Sequence, residues 1–251
     1  MSGHSKWATI KRKKGVIDAR RGAVFTKLIR EITVAARAGG EDPEANPRLR
    51  TAILKAKSNN MPADNIERAV KKGAGTLDGV TYEEIRYEGY GPGGVAIMLD
   101  CLTDNKNRTT PEIRTLFGKN GGNLGENGCV SYLFEKKGLM VLESGQISED
   151  DLLELLIEFD VEDISTEEEN IVVKTEPDSY SDVSEILVNK GLKLITNELS
   201  YLPVTNVPLD EKRARQTLRL IELLEDHDDV QDVYSNYEIS DEIMNLIYEE
   251  Q

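Results

Sequence analysis

The chain is poor in the residues that most metal, thiol and acid–base chemistry needs. Of its 251 residues only two are cysteines, Cys101 and Cys129, and only two are histidines, His4 and His227. Two cysteines cannot make a disulfide framework, and their spacing matches no zinc pattern. No His-Glu-x-x-His, Gly-x-Ser-x-Gly or Cys-x-x-Cys occurs, which removes the common zinc-protease, serine-hydrolase and thiol-redox signatures. No run approaches the roughly 18 apolar residues of a membrane span. The opening Met-Ser-Gly-His-Ser-Lys-Trp has charge but no apolar stretch behind it, unlike a secretory signal. Transmembrane, secreted and zinc-finger classes are therefore excluded, and the expectation is a cytoplasmic, non-enzymatic protein with no cofactor, no metal and no membrane partner.

Charge is plentiful and unevenly placed. The formal net charge is -15, yet residues 1–75 hold 17 Lys and Arg against 7 Asp and Glu, and the remainder holds 14 against 39. A polyanion responds to the local field, which decays over roughly 8–10 Å at ordinary ionic strength. An acidic body farther away than that hardly weakens a basic arm, though it discourages unspecific adhesion. The bias is strongest in the first 30 residues, where Lys6, Lys11, Arg12, Lys13, Lys14, Arg20, Arg21, Lys27 and Arg30 are offset by Asp18 alone. Trp7, the only tryptophan, lies inside this run. It either anchors the arm to its own helical domain or stacks on a base, an interaction worth roughly 1–3 kcal/mol.

Periodicity predicts a helix over 23–38, stopped by Gly39-Gly40, with Phe25, Leu28, Ile29, Ile32 and Ala36 as its packing stripe. Arg30 and Arg37 fall nearly opposite that stripe with Lys27 beside them, so one face is expected to pack and the other to be positive. Two further helices are predicted, from Pro47 to about Ser58 and from Pro62 to Gly73, completing a small bundle that presents positive charge. Beyond residue 80, strands are predicted at Glu84–Tyr90, Val95–Leu102 and Cys129–Phe134, with a helix starting near Thr110-Pro111 behind a threonine cap. Next comes Leu139–Leu142, helix Glu149–Ile157, Val161–Ser165, Ile171–Lys174, helix Tyr180–Asn189 and Lys193–Leu199, a β-α-β-β-α-β order of the split, ferredoxin-like kind. A helix over Leu209–Glu225, a strand Val230–Tyr234 and a short acidic helix over 240–251 follow. The expected fold class is α+β, and the expected domains are an arm plus three-helix bundle (1–77), a discontinuous α/β domain (78–135 and 204–251), and an acidic ferredoxin-like domain inserted into it (136–203).

Three motifs bear on chemistry. Gly89-x-Gly91-x-x-Gly94 fits the dinucleotide fingerprint literally, but a β-type run, Val95 to Asp100, leaves it where a helix should, and Pro92 removes an amide. It reads as a strand-to-strand turn. Asp226-His227-Asp228-Asp229 offers cation ligands but reads as a solvated acidic turn. Asp104 to Thr110 reads as a helix entry, with Lys106 and Arg108 as a secondary phosphate contact.

Several phrases together carry a resemblance: Gly3-His4-Ser5-Lys6-Trp7, Phe25 to Ile32, Asn46-Pro47-Arg48-Leu49-Arg50, Asn60-Met61-Pro62 with Asn65 to Ala69, Tyr87 to Gly94, Thr103 to Thr109, and Gly121-Gly122-Asn123-Leu124-Gly125. In this order, and over essentially the whole chain, they resemble the YebC/PmpR family, whose mitochondrial relatives are translational activators. The resemblance implies a three-domain α/β protein without enzymatic activity. It implies either a DNA-binding transcriptional regulator or a ribosome-associated translation factor that contacts ribosomal RNA and relieves stalling at proline-rich stretches. In the second picture His4, Ser5, Lys6 and Trp7, with the basic tract after them, form the RNA-contacting arm. This chain has Lys11-Arg12-Lys13-Lys14-Gly15-Val16 where many relatives carry a mixed His/Arg/Lys-Ala tract, so charge rather than residue identity is kept there. The candidate contact set is thus His4 to Trp7, Lys11, Arg12, Lys13, Lys14, Arg20, Arg21, Lys27, Arg30 and Arg37, with Lys106 and Arg108. The partner is expected to be ribosomal RNA or DNA, with RNA favoured because dispersed Lys and Arg position phosphates and read little sequence. No dimerisation stripe is evident, which favours a monomer while the sequence leaves the oligomeric state open.

Overall fold

The computed structural model describes residues 21–75, 77, 80–143, 145–167 and 170–249. Three helices open it: α1 (Arg21–Gly39), α2 (Pro47–Ser58) and α3 (Ala63–Gly73). Proline at the first turn of α2 costs no hydrogen bond there, and the Asn46 side chain caps that helix by accepting from the Leu49 amide at 3.1 Å. The same buried Asn46 donates to Ala35 O at 2.8 Å and Gly40 O at 2.9 Å, tying the end of α1 to the start of α2. Leu28, Ile32, Ala36, Leu49, Ala52 and Ile66 form the core of this bundle.

Next come β1 (Glu83–Tyr90), β2 (Ala96–Thr103), α4 (Lys106–Lys119) and β3 (Asn123–Leu124). After them the chain forms β4 (Phe134–Glu143), α5 (Glu149–Leu156), β5 (Val161–Glu167), β6 (Asn170–Thr175), α6 (Tyr180–Asn189) and β7 (Leu194–Pro203). It closes with β8 (Val207–Pro208), α7 (Glu211–Glu225), β9 (Val230–Ser235), β10 (Tyr237–Glu238) and α8 (Asp241–Glu249). One four-stranded sheet has the order β3-β1-β2-β9, with every neighbouring pair antiparallel. β2 is its centre: Ile97, Leu99 and Cys101 point into a core shared with Ile113 and Phe117 of α4 and with Ala214, Leu220 and Leu224 of α7. The turn between β1 and β2 is a short 3-10 segment at Pro92–Gly94, in which Gly93 and Gly94 take φ of 77° and 81°, a region that glycine enters without steric cost. The Gly89 to Gly94 phrase therefore joins antiparallel strands.

Residues Tyr132–Asn206 form a compact unit of their own. Its sheet has the order β5-β6-β4-β7, all antiparallel, with α5 and α6 supplying Leu152, Leu156, Val183 and Leu187 to a core with Met140, Leu142, Ile171 and Val173. This is the ferredoxin-like β-α-β-β-α-β arrangement, and the chain enters and leaves it between parts of the other unit. The fold class is α+β, N-terminal helices followed by two α/β bodies, one inserted in the other. No helix among the described residues is long and apolar enough to cross a membrane.

Two local expectations are corrected. Residues Cys129–Phe134 do not make a strand; a 3-10 turn occupies Ser131–Leu133 and β4 starts at Phe134. The cause is Glu88, a buried residue of β1 whose carboxylate accepts the amides of Gly128, Val130 and Ser131, each at 2.8 Å, so those amides are not available to a ladder. Burial raises the Glu88 pKa, but the three amides more than reverse this and leave it below the usual glutamate value. Glu88→Gln should cost about 2 kcal/mol, since one carboxylate oxygen becomes an amide facing N–H donors. A shift of the urea midpoint checks it. With a depressed folded pKa, the Glu88 contribution is complete above about pH 4.3 and is lost as pH falls through the folded value. The second correction concerns α4, which begins a turn earlier than expected. Its cap is Asn105, accepting from the Arg108 amide at 3.2 Å, and Pro111 lies within the first turns of the helix.

Candidate nucleic-acid interface

Most of the N-terminal candidates, His4, Ser5, Lys6, Trp7, Lys11, Arg12, Lys13, Lys14 and Arg20, lie outside the described residues. Arg21 opens α1, and its side chain also lies outside them. The described candidates are Lys27, Arg30 and Arg37 on α1, and Lys106 and Arg108 at the start of α4.

Lys27 and Arg30 do not form an open positive face. Lys27 Nζ donates to Glu225 O at 2.6 Å, at the end of α7. Burial lowers the Lys27 pKa, against the raising influence of Asp232, Glu225 and Asp228. Arg30 reaches the same loop. Its Nη1 donates to Asp229 Oδ1 at 2.7 Å, to Asp228 O and to Leu102 O at 3.4 Å, and its guanidinium lies 5.6 Å from the Tyr82 ring centroid. The central turn of α1, from Ile32 to Ala36, is buried throughout. A helical wheel detects the apolar stripe but not a second face that packs through ion pairs and carbonyls, and this is where the expectation of a free positive face fails.

Arg108 is tied down as well, although its side chain stays largely exposed. Its Nη2 donates to Asp229 Oδ2 at 2.7 Å and to Asp104 Oδ1 at 2.9 Å. Thr109 Oγ1 donates to the same Asp229 oxygen at 2.6 Å, and Thr103 Oγ1 lies 3.1 Å from it. Asp229, only 1% exposed, thus joins α1, α4, β2 and the turn after α7. Burial would raise its pKa, but the Thr109 and Arg108 hydrogen bonds and the charges of Arg30 and Arg108 hold it at about 2. Sequence reading placed Asp229 in a solvated acidic turn. Its only forewarning was a threonine pair, Thr103 and Thr109, framing Arg108.

Glu112, His227 and Asp229 bring one ligand atom each within 4.8 Å of one another. Both Asp229 oxygens already accept from guanidinium or hydroxyl donors. His227 Nδ1 accepts from the Asp229 amide at 3.2 Å while Nε2 donates to Glu112 at 3.0 Å. Two guanidiniums on the carboxylate make this trio an ion-pair network, a poor fit to a cation.

Other exposed cations are not tied down in this way, among them the expected Arg37 and Lys106. In the helical bundle, Arg37, Lys57 and Lys72 are exposed and make no ion pair or hydrogen bond among the described residues. Arg48 is engaged with Glu31 and Glu84, both at 2.8 Å. At α4, Lys106 is exposed.

Comparison with known proteins follows the same division of the chain. Residues 5–76 match the family model described as the TACO1/YebC protein N-terminal domain, and residues 82–237 match that of the TACO1/YebC second and third domain. This chain belongs to the TACO1/YebC family. A curated member from Syntrophus aciditrophicus, called a probable transcriptional regulatory protein, is 57% identical over 248 residues, covering 98% of this chain and 99% of its own. Another from Geobacter sulfurreducens, with the same description, is 56% identical over 247 residues, covering 98% and 100%. The crystal structure of a conserved hypothetical protein from Aquifex aeolicus matches with a TM-score of 0.81 at 51% identity, covering 91% of this chain and 94% of that one. The TACO1/YebC fold is thus shared over nearly the whole length.

Proposed function

We propose that this TACO1/YebC member regulates gene expression by binding nucleic acid through its N-terminal region, and that the partner is ribosomal RNA, met as a ribosome-associated translation factor that relieves stalling. One observation carries the reading: the 17 Lys and Arg against 7 Asp and Glu of residues 1–75, followed by 14 against 39 in the rest. Binding falls to His4 through Arg21, supported by Arg37 and Lys106. Lys27, Arg30 and Arg108 serve instead to fix the bundle and α4 in place. The free cations of the bundle lie on separate helices. That suits phosphate contacts, which orient a protein and carry no sequence code, and it suits a folded RNA surface.

A second reading has a specific observation behind it. The relatives are called probable transcriptional regulatory proteins, which favours DNA. Co-sedimentation with ribosomes at two salt concentrations, using the full chain and a chain lacking residues 1–20, separates the two. The RNA reading expects the full chain to pellet with ribosomes at low salt, to leave at high salt, and to stay in the supernatant when shortened. Failure to pellet at either salt, with promoter fragments recovered on crosslinking in cells, gives the function to DNA.

A further inference from the structure

Beyond residue 75 the chain is so acidic that a net-positive surface needs a cause. α4 and α7 make one. Both cover the same face of the four-stranded sheet, where Ile113, Phe117, Ala214 and Leu220 meet Ile97 and Leu99. Between them the two helices carry eight Lys and Arg against four Asp and Glu. Two of these acids are engaged locally: Glu112 accepts from His227, and Glu211 pairs with Arg215 at 2.8 Å. Arg108 and Arg213, though exposed, are engaged as well, with Asp104 and Asp229 and with Asp210; five solvent-facing cations are not. Lys106, Arg114 and Lys119 on α4, and Lys212 and Arg219 on α7, are exposed and make no ion pair or hydrogen bond among the described residues. Cations without a protein counter-charge attract a polyanion laid along them. From Lys106 to Lys119 the helix rises about 20 Å, roughly six steps of a nucleic-acid strand at about 3.4 Å each.

Gly118 is an independent sign. It sits in the last turn of α4, one residue before the helix ends, and glycine is a poorer helix former than alanine. Its φ is not positive, and nothing lies within 4 Å of where a Cβ would stand. Neither backbone conformation nor packing asks for glycine here. It follows Arg114 by four residues, on the same side of the helix, and it precedes Lys119. A residue without a side chain between two free cations lets another backbone approach the helix closely.

We propose that the outer face of α4 and α7 is a second nucleic-acid contact, in which Arg114, Lys119, Lys212 and Arg219, with Lys106, hold the phosphate backbone and Gly118 gives it room. It rests on the reading that the N-terminal region binds nucleic acid, and it adds a site in the middle of the chain. The phosphate backbone is common to RNA and DNA, so both are used as probes. Binding of the full chain to a labelled RNA hairpin and to a DNA duplex of the same sequence is measured across a salt series.

The variant Arg114→Ala/Lys119→Ala/Lys212→Ala/Arg219→Ala is expected to flatten the log–log salt dependence by about 3 units, at 0.7–0.9 per lost phosphate contact, with the melting temperature kept. Loss on the RNA, on the DNA or on both identifies the source of the phosphates and supports the face. Gly118→Ala is expected to melt no lower than the parent and to bind several-fold more weakly. An unchanged slope in the four-residue variant, with Lys11→Ala/Arg12→Ala/Lys13→Ala/Lys14→Ala lowering both slope and affinity, overturns the second face and leaves the N-terminal reading standing. No change in either variant overturns both. Normal nucleic-acid binding by the α4/α7 variant combined with lost binding to polyglutamate would assign the face to an acidic protein and overturn it.

Discussion

Asp229→Ala is expected to lower unfolding stability by about 3–5 kcal/mol, the range for removing one partner of a buried ion pair. The reason is what remains behind. Arg30, whose side chain is 13% exposed, and Arg108, 42% exposed, would face each other across a gap without the carboxylate between them. Thr103 and Thr109, both fully buried, would lose an acceptor. Chemical denaturation of the parent and the variant measures the loss, and a change below about 1 kcal/mol would show that the node is not a structural tie. Adding Arg30→Ala to Asp229→Ala should cost much less than Arg30→Ala alone, since coupled residues are non-additive. The pH dependence has a defined sign. The folded pKa of about 2 lies below the ordinary aspartate value of about 3.9. The contribution of Asp229 is therefore complete above about pH 4 and is lost as pH falls towards 2, amounting to about 2–3 kcal/mol. Asp229→Asn should lack that acid-dependent segment of the stability curve.

Replacing Lys11, Arg12, Lys13 and Lys14 together by alanine is expected to give the largest loss of binding. Each phosphate contact contributes about 0.7–0.9 to the slope of log affinity against log salt, so four contacts account for about 3 units. At 0.15 M salt that corresponds to a weakening of about 10²–10³-fold. Fluorescence anisotropy over a salt series reads both quantities, and an unchanged slope removes these residues from the interface. Folding stability should stay within about 0.5 kcal/mol, the usual range for surface substitutions.

Much of the fold is legible because apolar period and punctuation agree over long stretches. Pro47 to Ser58 and Tyr180 to Asn189 have the bounds that their stripes and end residues predict. The β-α-β-β-α-β order is readable for the same reason, and it dictates the sheet order once strands pair. What is not legible depends on contacts between distant residues. Glu88 lies amid strand residues of alternating character, and nothing nearby announces three amides from forty residues downstream. The direction of Lys27, Arg30 and Arg108 is decided by carboxylate and carbonyl groups at 225–229, far along the chain. Composition counts them as free cations, whereas folding engages each of them in holding the chain together. Arg114, Lys119, Lys212 and Arg219 pass unnoticed for the opposite reason: each sits singly in an unremarkable helix, and only the packing of α4 beside α7 assembles them.

The register of the inserted unit has an evolutionary corollary. Phe134 pairs with Pro203 across the first and last strands, and the Val204 amide donates to Leu133 O at 2.9 Å. The point of departure and the point of return are therefore neighbours. To the host chain, acquiring or discarding these seventy-odd residues is geometrically no more disruptive than lengthening a hairpin loop, so this segment can diverge, shrink or be exchanged between lineages while the sheet around β2 stays as it is.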